Sequence, residues 1–253
     1  MHGLLSWRDL TEQQRAYFLA QCTALPTFND HTVQKFFAHL ADCDADAAVR
    51  LLRMRVECWE KESKEGFTPL PFQWSVLLPF AECPERLELL RALRDWLTEP
   101  RDRPYIRDLL APDLFWVVAG NADEPVRRLL LEPYAAGNSM LVESAAPLLF
   151  KLPKSIVWDR ADDLIAAMLK SASRISEKAL HRTQSQLHSA AINGVRWGTP
   201  GEPYAEDLDI RRRAGKVRDG LPRGPITDRF YGALEESAQR SIDRETAEDF
   251  NAS

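Results

Sequence analysis

Four copies of a short apolar signature recur down the chain at a nearly constant interval. They begin at Asp46, Pro84, Asp123 and Asp162, with steps of 38, 39 and 39 residues. Three residues after each anchor stand Val49, Leu87, Val126 and Ile165, and six residues after it stand Leu52, Leu90, Leu129 and Met168. Residues three apart share one face of an α-helix, so each copy reads as the buried stripe of a helix. A fixed period near forty residues is the mark of stacked helical hairpins, in which each repeat buries the apolar face of its neighbour. The spacing therefore predicts an all-α fold of antiparallel helical hairpins with helical caps at its ends.

The composition is that of a folding chain. Seven Trp and eleven Phe supply large side chains for burial, so the main body is expected to be ordered. A net charge of −5 gives no global electrostatic reason to expect a nucleic acid or an anionic membrane as partner. The cysteines, Cys22, Cys43, Cys58 and Cys83, form no C-x-x-C pair and lie in or beside apolar helical stretches. They allow two bridges, but read better as buried free thiols in a reducing compartment. The start, Met-His-Gly-Leu-Leu-Ser-Trp-Arg-Asp, lacks the basic and long apolar parts of a secretory signal. No apolar run approaches the roughly 20 residues that span a bilayer. A cytoplasmic protein with no membrane contact is the expectation.

Helical punctuation runs the length of the chain. Thr11 with Gln14 forms a capping-box pattern ahead of Tyr17, Phe18 and Cys22. Asp30 is placed to cap a second helix bearing Val33, Phe36, Phe37 and Leu40. A third starts near Asp44 or Asp46 and runs towards Lys61, and Pro84 opens a fourth that reaches Trp96. Two short helices are expected over 105–110 and 113–118, then a helix from Asp123. Pro147 predicts a kink or an early break within a helix through Leu141, Ala145 and Leu149. Asp159 is placed to cap a helix through Met168, and Ser173 and Ser176 open a long one to Ile192. The Gly- and Pro-rich stretch 194–203 ends the regular pattern. Two further amphipathic helices, 206–219 and 227–242, follow it. No strand is expected. The organisation so read is a capping helix over 1–29, helical repeats over 30–193, and over 194–253 a Gly/Pro linker, a helical pair and a frayed tail.

Two copies of the signature carry Asp-x-x-Val-Arg, at Asp46 to Arg50 and Asp123 to Arg127, and the third reads Ala122-Asp-Glu-Pro-Val-Arg-Arg-Leu-Leu. This resembles the HEAT family of helical repeats over roughly residues 30–192. The resemblance implies a right-handed α-solenoid, with Asp46 and Asp123 capping helices and Arg50 and Arg127 tying one repeat to the next. The second copy departs from it, with Pro84 and Glu88, and the fourth has Ala166 in place of Arg.

Few constellations carry chemistry. Asp42-Cys-Asp44-Ala-Asp46 has the opening spacing of a calcium loop, but the sixth and twelfth positions are Ala47 and Arg53 instead of Gly and Glu. His181 and His188 lie seven apart on one expected helix, about 10 Å at 1.5 Å per residue, too far to share one metal unaided. No metal or cofactor is called for. Trp158-Asp159-Arg-Ala-Asp162 looks like the aromatic and carboxylate pair of alkylpurine DNA glycosylases built on HEAT-like repeats. That resemblance implies a catalytic role for Trp158, Asp159 and Asp162, against helix capping by Asp159 and packing by Trp158. The densest basic run, Arg211, Arg212, Arg213, Lys216 and Arg218, sits among Glu206, Asp207, Asp209 and Asp219. Together with Arg196, Trp197 and Tyr204 it is the candidate contact surface for a partner. The tail resembles in style the C-terminal ends of large bacterial multidomain proteins that carry helical repeats. The leading expectation is a non-catalytic interaction module for a protein partner. The alternative is a nucleic-acid-binding or base-excising repeat protein using Trp158, Asp159, Asp162 and the Arg211 to Arg218 segment.

Overall fold

The computed structural model describes residues 7–62, 65–71, 80–99, 104–159, 163–194, 199, 201–220 and 224–247. Among these the chain is all-helical, with no strand. Contacts divide it into two compact units, Met1–Val126 and Arg127–Ser253.

The first unit holds α1 (Glu12–Thr23), α2 (His31–Cys43), α3 (Ala45–Lys61), α4 (Arg86–Trp96), α5 (Pro104–Ala119) and the start of α6 (Glu124–Ala135). Local signals set the helix starts. Thr11 and Gln14 close the capping box of α1, and the Asp30 carboxylate accepts the Thr32 and Val33 N–H groups that open α2. Those two backbone donors hold the Asp30 carboxyl below its ordinary range. Asp44, rather than Asp46, caps α3: its Oδ1 accepts the Ala47 N–H at 2.9 Å and its Oδ2 accepts the Trp7 indole at 2.9 Å. Pro84 lies two residues before α4, whose N-cap Glu85 makes no side-chain bond to the helix. On α1 the buried side is Leu19 and Cys22, while Tyr17 is 69% exposed.

Residues 104–119 form one helix instead of the two short ones the prolines suggest. Pro112 removes one N–H from the ladder and costs about 3 kcal/mol. Burial on both sides of it, by Ile106 before and by Leu114, Phe115 and Val118 after, is worth about 1.5–3 kcal/mol per side chain and outweighs that loss. The helix stops at Gly120, whose φ of 68° suits a residue without a Cβ.

Polar groups tie this unit together. α3 packs against α1, α2 and α5. Arg55 on α3 is fully buried and donates to the carbonyls of Cys22, Thr23, Leu25, Thr68 and Pro69. Arg107 on α5 forms a buried bidentate pair with Glu60, at 3.0 and 2.7 Å, and also donates to the last carbonyl of α4, Trp96 O, at 2.8 Å.

The second unit holds the rest of α6, α7 (Ser139–Ala145), a 3₁₀ turn (Ala146–Lys151), α8 (Lys154–Val157), α9 (Leu164–Ile175), α10 (Glu177–Ile192), α11 (Ala205–Arg218) and α12 (Pro225–Ala247). Asn138 caps α7 and Ser176 caps α10 through their side-chain oxygens. Pro147 coincides with the change from α-helix to 3₁₀ geometry. Asp159 does not cap α9, which begins five residues later at Leu164 after Asp163. α11 and α12 form the most extensively packed pair, α12 also rests on α9, and α10 packs on α9, α7 and the 3₁₀ turn. Within this unit the Tyr134 hydroxyl meets Thr183 Oγ1 at 3.0 Å, and the Tyr231 hydroxyl donates to Val157 O at 2.5 Å.

Candidate functional site

The basic run lies on α11. Ile210, Ala214 and Val217 bury the inner face of this helix, and the arginines stand on its exposed sides. Arg211 donates to Gln239 at 2.7 Å, Arg212 and Arg213 both reach Asp209, and Arg218 reaches Glu235 on α12. Partial burial alone would raise the Asp209 carboxyl, but the two arginines hold it below its ordinary range. Exposed pairs of this kind add little stability. Their consequence is for the field, since each carboxylate cancels charge that a phosphate backbone would otherwise meet. Lys216 is exposed on the same helix. Tyr204 is half-buried at the N-cap position of α11, and Glu245 of α12 accepts its backbone N–H at 3.0 Å. Arg196 and Trp197 lie outside the described residues.

Trp158 is half-buried at the end of α8, with its ring 6.1 Å from that of Tyr231 on α12. Asp159 beside it is exposed, and Asp162 lies outside the described residues. The short α8 thus directs Trp158 onto α12, where the Tyr231 hydroxyl also holds the Val157 carbonyl. His181 on α10 is exposed, whereas His188 is half-buried. Burial, and then the charge of Arg240, push the His188 imidazole below its ordinary value.

A third constellation escapes a reading in terms of calcium loops. His39, Asp42 and Cys43 follow the i, i+3, i+4 spacing of one helical face at the C-terminal end of α2. Their donor atoms all lie within 4.8 Å of one another, and the Cys43 Sγ stands 3.8 Å from His39 Nδ1 and 3.6 Å from Nε2. Asp42 and Cys43 line a cavity of about 520 Å³ that Asp44, Asp46, Glu82, Cys83 and Glu85 also line. Burial and the neighbouring Glu85 carboxylate push the Cys83 thiol up. The helical spacing of His39, Asp42 and Cys43 was the sequence signal for this cluster. All four cysteines are free thiols.

The solvent face of α5 is the remaining feature. Tyr105 and Leu109 stand one helical turn apart and are 67% and 61% exposed, while Ile106 and Arg107 between them turn inward. Comparison with protein-family models, curated proteins and solved structures finds no match to this chain. No helix among the described residues is long and apolar enough to cross a membrane.

Proposed function

We propose that the chain is a non-catalytic, HEAT-like helical-repeat module that presents a helical surface to a protein partner. The observation that carries this reading is the pair Tyr105 and Leu109, two large apolar side chains on one exposed helical face. Tyrosine and leucine placed one turn apart match the i, i+4 anchors by which helical surfaces engage partners. The repeat supports the same reading. Its first, second and third anchors fall within two residues of the starts of α3, α4 and α6, and of its eight apolar positions all are buried except Leu87, which is half-buried. Asp123 accepts the Val126 N–H and caps α6, as the family pattern implies.

Base excision at Trp158 and Asp159 ranks second. The Trp158 ring is engaged with Tyr231, and four arginines of α11 are engaged by Gln239, Asp209 and Glu235. The test uses the full chain with a photo-crosslinker beside residue 105, exposed to lysate of its host. A discrete protein adduct is expected, lost in Tyr105→Ala/Leu109→Glu at an unchanged melting temperature. An adduct indifferent to that variant would overturn the role of this face. A salt-dependent shift of labelled duplex DNA would instead favour the second reading.

A further inference from the structure

We propose that His39, Asp42 and Cys43 form a zinc site at the C-terminal end of α2, with a fourth coordination position left to solvent beside the neighbouring cavity. The proposal stands independently of the interaction reading. Three observations converge on it.

The first is distance. An ion held tetrahedrally by a thiolate at about 2.3 Å and an imidazole at about 2.0–2.1 Å sets those two donor atoms about 3.5 Å apart. The His39 and Cys43 donors already stand at 3.6 Å through Nε2 and 3.8 Å through Nδ1. The Asp42 carboxylate is within 4.8 Å of both, and Asp42 is exposed, so a side-chain rotation brings an oxygen to bonding distance.

The second is the donor set. One sulfur, one imidazole nitrogen and one carboxylate oxygen make a borderline-soft combination that suits zinc and disfavours calcium and magnesium, which take oxygen donors. This separates the site from the calcium loop that the same acidic turn superficially suggests.

The third is the field. The cluster occupies the last turn of α2, at the negative end of the helix dipole. Asp44, Asp46, Glu82 and Glu85 line the adjoining cavity with Asp42, so the surroundings favour a cation. A thiol binds zinc as thiolate, so metal binding releases its proton to solvent.

The experiment titrates the full-length protein, stripped by a chelator, first with Co²⁺ and then with Zn²⁺. One equivalent of Co²⁺ is expected to produce a near-ultraviolet thiolate-to-cobalt band and the intense visible bands of a four-coordinate ion, both abolished when Zn²⁺ displaces it. Cys43→Ser and His39→Ala are each expected to weaken Co²⁺ binding by more than about 100-fold, beyond the ~10–100-fold typical of losing an outer-shell partner. Cys58→Ser and Cys83→Ser are expected to retain it. His39 is exposed, so His39→Ala decides the matter even if Cys43→Ser fails to fold. A protein that gives no thiolate band, showing a thiol–imidazole hydrogen bond only, overturns the proposal. So does equal affinity in His39→Ala, or a band lost in Cys83→Ser and kept in Cys43→Ser.

Discussion

Replacing Arg55 by Met is expected to remove a buried fastening that joins α3 to the end of α1 and to residues 68 and 69. The guanidinium lies between the rings of Phe28 and Phe67, 4.1 and 4.5 Å from their centroids. It donates from Nε to Pro69 O at 2.9 Å, from Nη1 to Cys22, Thr23 and Leu25 O at 3.0, 3.1 and 2.7 Å, and from Nη2 to Thr68 O at 2.6 Å. Cys22 and Thr23 are the last residues of α1, so the cation also sits at the negative end of that helix. Burial pushes the guanidinium down to about 10, which still leaves it charged at neutral pH. Hydrogen bonds from a charged donor are worth about 1.5–3 kcal/mol each, but those gains are non-additive and offset by several kcal/mol of desolvation. Truncation leaves five carbonyls facing an apolar thioether, where Arg55 itself was inaccessible to water. The expected net loss is about 3–5 kcal/mol. With a urea slope near 2 kcal/mol per molar, the midpoint should fall by about 1.5–2.5 M. Arg55→Lys should lose nearly as much, because a single ammonium reaches fewer carbonyls and does not stack as a plane between two rings. Arg53→Met is the control: its pair with Glu99 is partly exposed and should cost under about 1 kcal/mol. Urea unfolding followed by tryptophan fluorescence and circular dichroism measures all three. If Arg55→Met unfolds at the midpoint of the Arg53 control, the guanidinium does not hold these segments together.

Three further outcomes are expected. Glu60→Met or Arg107→Met alone should each cost about 3–5 kcal/mol by leaving a buried partner unmatched, while the double replacement Glu60→Met/Arg107→Met should recover most of it; a double-mutant cycle on unfolding free energies reads the coupling. The folded protein disfavours the charged form of His188, so below the ordinary imidazole value of 6.5 the unfolded chain takes up the proton first and stability falls. His188→Gln should flatten that fall in urea midpoints taken above and below 6.5. Burial pushes the Cys22 thiol up to about 11, so in chelator-stripped protein an alkylating reagent should modify the partly exposed Cys43, Cys58 and Cys83 first and reach Cys22 only in denaturant, as mass spectrometry would show.

What could be read from the sequence was what the chain encodes locally. Thr11 with Gln14, Asp30 and Ser176 bond backbone groups two or three residues away, so their roles were legible in the letters alone. The Ile210, Ala214 and Val217 stripe of α11 was legible for the same reason. Pro112 was misleading because its cost is local while the compensation comes from Leu114, Phe115 and Val118 packing against other helices. The ion pairs were invisible because Glu60 and Arg107 are 47 residues apart. Arg55 left a faint trace: it occupies the apolar stripe between Leu52 and Trp59, where an arginine needs a buried reason to stand. His39, Asp42 and Cys43 left a clearer one in their i, i+3, i+4 spacing.

Arginines also join the helices on which the sequence signature falls. The second copy of the signature offers Pro84 where an Asp cap is expected, and α4 begins without a side-chain cap. Two residues on, Arg86 donates to Ala119 O, at the end of α5, at 2.8 Å and forms an ion pair with Asp123. The third anchor thus serves two helices at once, accepting the Val126 N–H of its own helix and the guanidinium from the preceding copy. Arg107 does the same service between α3 and α4, gripping Glu60 with one edge and the terminal carbonyl of Trp96 with the other. A planar donor with several N–H groups can close a helix end and bridge to a neighbour in one side chain. At the C-terminal ends of α1, α4 and α5 it is guanidinium groups, those of Arg55, Arg107 and Arg86, that satisfy carbonyls of the backbone.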